Sequence, residues 1–184
     1  MEHTHHGCGA MGETGMRDIP LCAPLQQLKQ EHIPLRKAMD RFHAAAAEIV
    51  AAADKDYRDA FAALRDQVAA FAIELEAHAW KEDDGLFPMM ARYIGRAFGP
   101  IAVMEHEHRQ AEQLLGTFLD SAGAAGDRID QETAQELAGY AVQAYLVLTQ
   151  HFDKEENVLF PMAERMLSPE EKDQLHGMMQ ELLN

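Results

Sequence analysis

The chain has 184 residues, enough for one good hydrophobic core and hardly for two, and its 47% hydrophobic and 26% charged residues are ordinary for a folded globular protein. Its net charge of −15 is not ordinary, and the 16 Lys and Arg are scattered; this argues against a nucleic-acid partner, which needs a basic face, and against adhesion to anionic membranes. No apolar run is long enough to span a bilayer, and Met1 to Gly9 hold no hydrophobic stretch resembling a secretion signal, so the cytoplasm is the expected location.

A Gly-rich start, residues 1–22, reads as a flexible tail that carries His3, His5, His6, Cys8 and Cys22. The two cysteines are too few and too loosely spaced for a disulfide framework or a redox pair. Residues 23–53 follow as one long helix, with apolar residues recurring from Leu25 and Leu28 through Leu35, Met39 and Phe42 to Ile49, and Pro34 sets an expected kink. Asp54-Lys55-Asp56 turns into a second helix that runs to about Gly85, and Leu86-Phe87-Pro88 breaks its pattern before a short continuation to Ile94. Gly95, Gly99 and Pro100 mark the next boundary. A third helix is expected from about Ile101 to Leu119, then a Gly-Ala loop from Ser121 to Asp127. A fourth runs from about Asp130 to Asn157, followed by Leu159-Phe160-Pro161 and a short extension. Ser168-Pro169-Glu170-Glu171 starts a last helix, because Ser caps free amides, Pro suits the first helical position and the acids favour the positive dipole end. No stretch alternates with period two, so the class is all-α: an antiparallel up-down four-helix bundle over residues 23–167, with a C-terminal helix in 168–184 packed on it.

An internal repeat supports the bundle. Residues 78–89 read HAWKEDDGLFPM and residues 151–162 read HFDKEENVLFPM, while Glu31-His32 recurs as Glu105-His106. His at i and Glu at i+4 share a helix face about 6 Å apart, so both reach one ion. In an antiparallel hairpin, residues of equal height are equidistant from the turn. The midpoint of His32 and His78 is residue 55, in the first polar turn, and that of His106 and His151 falls beside Gly126-Asp127. The four histidines thus share one level, toward the end that bears the Gly95 loop and the N-terminal tail.

The expected site is His32, His78, Glu82, His106, His151 and Glu155. Buried glutamates without partners are costly, which itself argues for a cation. Four imidazoles and two carboxylates suit a first-row transition metal and poorly suit calcium or magnesium. Six ligands are too many for one tetrahedral zinc and fit two metals with two His each, bridged by Glu82 and Glu155. The expected cofactor is a pair of iron ions with an oxo or hydroxo bridge; manganese, or an iron–manganese pair, is the alternative. His108, two residues from His106, is expected to be solvated on the opposite face, His43 to pack and bond Gln67, and His176 to have no partner.

The pattern H…HxxxE…H…HxxxE, with E-[ED]-x-x-LFP after both HxxxE motifs, resembles the haemerythrin-like HHE cation-binding family over residues 25 to 165. The resemblance implies a di-iron four-helix bundle and the same six ligands. Oxygen carriers of that family have a further His four residues after the third-helix ligand, where this chain has Gln110; that implies a more open, carboxylate-rich site. The four-His, two-Glu pattern looks closer to bacterial members linked to nitric oxide, peroxide and oxidative stress, including proteins that repair iron–sulfur centres. Those repair proteins carry a separate N-terminal cysteine domain, for which the tail with Cys8 and Cys22 is too short. The resemblance implies oxygen, nitric oxide or peroxide as the small-molecule partner, or iron mobilisation, with a sensor or binding module acting through a partner protein as the other reading.

Overall fold

The computed structural model describes residues 19–51, 57–125 and 129–181, and no strand occurs among them. The expected turns at Asp54-Lys55-Asp56 and Gly126-Asp127, and His3, His5, His6 and Cys8, lie outside the described residues. The helices are α1 (Ala23–Ala51), α2 (Arg58–Trp80), α3 (Phe87–Ile94), α4 (Pro100–Ala125), α5 (Gln131–Lys154), α6 (Phe160–Met166) and α7 (Pro169–Glu181). No helix of the described residues is long and apolar enough to cross a membrane.

α1 buries Leu25, Leu28, His32, Leu35, Met39, Phe42, Ala46 and Ile49, a three-and-four spacing that keeps one stripe on the core. It runs unbroken through Pro34, which lies with Gln30, whose carbonyl loses its amide partner, on the exposed face of the helix. α4 extends past the expected end at Leu119 to Ala125, since Ala122 packs into the core and alanine favours helix over loop. α5 starts at Asp130, whose carboxylate accepts from the Thr133 amide at 2.8 Å. The chain turns from α3 into α4 through Gly95 and Gly99, both at positive φ (78° and 85°), where a side chain would be strained.

Neither Leu-Phe-Pro block ends its helix. α2 passes through a π-helical turn, Lys81–Leu86, into α3, and α5 passes through another, Glu155–Leu159, into α6. Pro88 and Pro161 fall directly after the π turns, whose i-to-i−5 register (the Phe87 amide on the Glu82 carbonyl, the Phe160 amide on that of Glu155) accommodates the missing amide hydrogen. α7 begins with a reciprocal cap: the Glu171 amide donates to the Ser168 hydroxyl at 3.2 Å, and the Ser168 amide donates to the Glu171 carboxylate at 2.9 Å.

Each of α1, α2, α4 and α5 packs along two of the others, α1 against α2 and α5, α4 against α5 and α2. Contacts along α1 climb as those along α5 descend: Val50 meets Gln135, Asp40 meets Tyr145 and His32 meets Glu156. The apolar interior has two parts. One, around Phe42, Phe71, Phe118 and Phe152, fills the space between the long helices. The other, around Leu28, Leu86, Phe87, Met104 and Phe160, joins α3, α6 and α7 to their ends. Along α1 and α4, His32 and His108 stand where the chain passes from one part to the other, between Leu28 and Leu35 and between Met104 and Ala111. Leu148 and Leu159 flank His151 and Glu155 in the same way. α7 closes the far end, where the near approach of Leu175 to Gly85 leaves room for no larger residue without displacement (an added Cβ would sit 3.0 Å from Leu175 Cδ1).

Candidate metal centre

Between the two apolar parts the buried polar residues include His32, His78, Glu82, His151 and Glu155, each at most 2% exposed. Two groups of four ligand-type residues stand within reach of a common point: His32, His78, Glu82 and Glu155, and Glu82, His108, His151 and Glu155. The carboxylates belong to both groups. Glu82 turns Oε1 to His78 Nε2 (3.5 Å) and Oε2 to His108 Nε2 (3.4 Å), while Glu155 turns Oε2 to His32 Nε2 (3.3 Å) and Oε1 to His151 Nε2 (3.2 Å). Each glutamate thus presents one oxygen to each pair of imidazoles. The paired rings face each other through their Nε2 atoms, His32 to His78 at 3.1 Å and His108 to His151 at 2.9 Å.

Five of the six expected residues meet here; His106 does not. It is exposed, and His108 holds the place on α4. The reason is helical phase. Ile101, Met104, Ala111, Leu115, Phe118 and Ala122 define the buried stripe of α4, on which 108 falls four residues after Met104, and 106 faces away. Equal-height reasoning separates two neighbouring turns but not two residues only about 3 Å apart along the axis. The signal was present twice, in the α4 stripe and in Glu107-His108, which matches Glu31-His32 as well as Glu105-His106 does. Counting from His108 also moves the position four residues on from Gln110 to Glu112, again not a histidine. His43 stacks on Tyr145 (centroids 3.9 Å apart) rather than bonding Gln67, whose Oε1 is buried without a partner.

Outside the six residues lies a shell of carboxylates, one on every imidazole Nδ1. His32 meets Glu156 at 2.9 Å, His78 meets Glu31 at 2.9 Å, His108 meets Asp83 at 3.1 Å and His151 meets Glu107 at 3.2 Å. A ring that donates Nδ1–H outward keeps the Nε2 lone pair for the centre, which fixes both tautomer and orientation. Basic side chains hold three of these carboxylates: Lys81 on Glu31 (2.7 Å), Lys154 on Glu107, and Arg36 on Glu156 (3.2 Å). The shell is written into the repeat, since Glu31 and Glu107 precede their histidines and Asp83 and Glu156 follow the shared glutamates.

The field here favours positive charge. Burial opposes protonation of His108, but Asp83 and Glu82 reverse it and push the ring up to about 10. Burial likewise opposes charge on His151, and Glu155 and Glu107 carry it up to about 9. Burial would raise the Glu155 carboxyl, yet His151 and His32 hold it well below the usual range. None of the four oxygens of Glu82 and Glu155 accepts a hydrogen bond, though all are buried. Buried carboxylate oxygens without donors are costly, so the donor set fits transition-metal cations at the two positions where imidazole pairs and shared oxygens converge.

Comparison with known proteins bears on the same residues. The family model described as Hemerythrin HHE cation binding domain matches residues 23–163. Among curated proteins, the chain is 36% identical over 106 residues to the iron-sulfur cluster repair protein YtfE of Edwardsiella ictaluri (strain 93-146), covering 54% of this chain and 46% of that one. It is 35% identical over 92 residues to the YtfE of Escherichia coli O1:K1 / APEC and 36% identical over 92 residues to that of Enterobacter sp. (strain 638), in each case 49% of this chain and 42% of the relative. The chain therefore spans less than half the length of these relatives.

Proposed function

The chain belongs to the Hemerythrin HHE cation binding domain family, and from that membership we propose that it holds two iron ions in an antiparallel up-and-down four-helix bundle. In this reading His32 and His78 would hold one ion and His108 and His151 the other, with Glu82 and Glu155 each offering an oxygen to both. The opposed run of contacts along α1 and α5 supports the antiparallel bundle, with α7 as an appended helix. The observation that carries the two-metal reading is the division of each glutamate, one oxygen to each imidazole pair, with all four oxygens otherwise unpartnered.

Bound iron would supply one-electron redox chemistry and coordination positions open to a diatomic or peroxide. The protein's part is to hold four neutral imidazoles by their outer carboxylates and to keep the centre dry under Phe87, Phe152 and Phe160. We assign the protein to reaction with oxygen, nitric oxide or peroxide, or to iron mobilisation, under oxidative or nitrosative stress; the repair function named for the YtfE relatives favours this class. Protein purified from iron-replete cells is expected to contain two irons per chain, with optical bands that change on adding oxygen, nitric oxide or peroxide. Turnover would mark an enzyme and stoichiometric binding a sensor. Absence of iron would sink the reading.

A further inference from the structure

α2 and α4 approach each other less closely than the other adjacent pairs among the four long helices, and a cleft of about 450 Å³ lies between them. Its floor is made by the buried Ala111, Leu115 and Leu148 with the largely buried His108, while Trp80 and Glu112 stand exposed at its mouth. A volume of this size suits a small organic molecule.

The internal repeat explains the empty space. Setting His32 on His108 and His78 on His151 puts Arg36 opposite Glu112, Phe152 opposite Ala79 and Asp153 opposite Trp80. In the first half Arg36 fills the corresponding place between Phe152 and the carboxylates, and the cleft it borders there, about 370 Å³, lies on the other side, toward Gln26 and Ile33. The Arg36 guanidinium lies 5.4 Å from the Phe152 ring centroid, 2.8 Å from Asp153 and 3.2 Å from Glu156, the carboxylate that accepts from His32. In the second half the corresponding carboxylate is Asp83, which accepts from His108. That filling is absent: its ring has become Ala79 and its cation has become Glu112, and the lining contains no Lys or Arg among the described residues. What remains is an aromatic ring, Trp80, with Asp83 and Glu112 beside it and Leu75 and Leu119 along the walls. Asp83 is the one carboxylate of the outer shell that no basic side chain holds among the described residues. A cation over an aromatic face and between carboxylates is the arrangement that Arg36 supplies to the other half.

We propose that this cleft binds a small organic cation, a guanidinium or ammonium head on an apolar body, with the head among Asp83, Glu112 and Trp80 and the body against the leucines. Because His108 forms the floor, such a ligand would sit beside the metal centre of the proposed function. The two readings fail separately: metal analysis reports the first and Trp80 the second.

The chain has a single tryptophan, so the emission of Trp80 reads the cleft directly. Titrating n-butylguanidinium into the protein as purified is expected to give a saturable change that weakens with added salt. Butylurea, the neutral isostere, should bind at least roughly tenfold more weakly, as expected for loss of a charge-assisted hydrogen bond. Glu112→Arg supplies the cation in cis and should abolish the response. Gly116→Leu should do so by filling the cleft that Gly116 lines, because a Cβ there meets nothing within 4 Å and the change leaves every charge in place. Circular dichroism of both variants checks that they are folded. The proposal is overturned by equal binding of butylurea, by no saturable response in the parent protein, or by undiminished binding in either folded variant.

Discussion

Glu82 and Glu155 carry four buried oxygens that accept no hydrogen bond from the protein, and His108 and His151 are drawn to bind protons there at pH values where a free imidazole is neutral. Two opposite pH dependences follow. Both folded values, about 10 and about 9, exceed the unfolded value of about 6.5. The stabilisation these rings give metal-free protein is thus complete below about pH 6.5 and is lost as pH rises through 9 to 10. Denaturant titrations of chelator-treated protein at pH 6.5, 8 and 10 should show stability falling along that series. Metal uptake must displace the same protons, so loading should release protons at pH 7 and tighten with rising pH, as an indicator dye would record. The α4 register gives a sharper test. His108→Ala should remove at least half of the bound iron, whereas His106→Ala, at an exposed position, should leave the iron content unchanged by metal analysis.

At the scale of elements, the two π-helical turns matter most. Each widens the helix at a shared glutamate, Glu82 or Glu155, and carries on into a segment that caps the centre with Phe87 or Phe160. Sequence patterning reads these places as breaks, because proline after an apolar pair looks like termination; the shifted hydrogen-bond register absorbs the proline instead. The start of α7 was legible from Ser168 to Glu171, since the reciprocal cap depends only on residues three apart. Ser168→Ala should cost about 1 kcal/mol, seen as faster amide exchange in the first turn of α7. Gly139 lies inside α5 with open space around it, so Gly139→Ala should stabilise by about 0.5–1 kcal/mol in thermal melts.

Taken whole, the molecule places a polar plane between two apolar regions and leaves one side of it, between α2 and α4, loosely packed. A cation bound only by the folded chain stabilises it by mass action, by about 2.7 kcal/mol at a hundredfold excess over Kd. Chelation should therefore lower Tm by several degrees, and readdition of ferrous iron should restore it. The sequence by itself determined the all-helical class and the repeat, and it named five of the six residues that come together in the fold, because three-and-four spacing and HxxxE pairs are local properties of a helix. It also held the outer carboxylates, as neighbours of those residues, without saying which ring each would meet. The apolar stripe of α4 already held its rotation about the axis, but equal height along the bundle does not separate His106 from His108; the tertiary structure brings His108, and not the exposed His106, beside Glu82, His151 and Glu155. It alone disclosed the cleft, which exists because Ala79 and Glu112 stand where the other half of the molecule has Phe152 and Arg36.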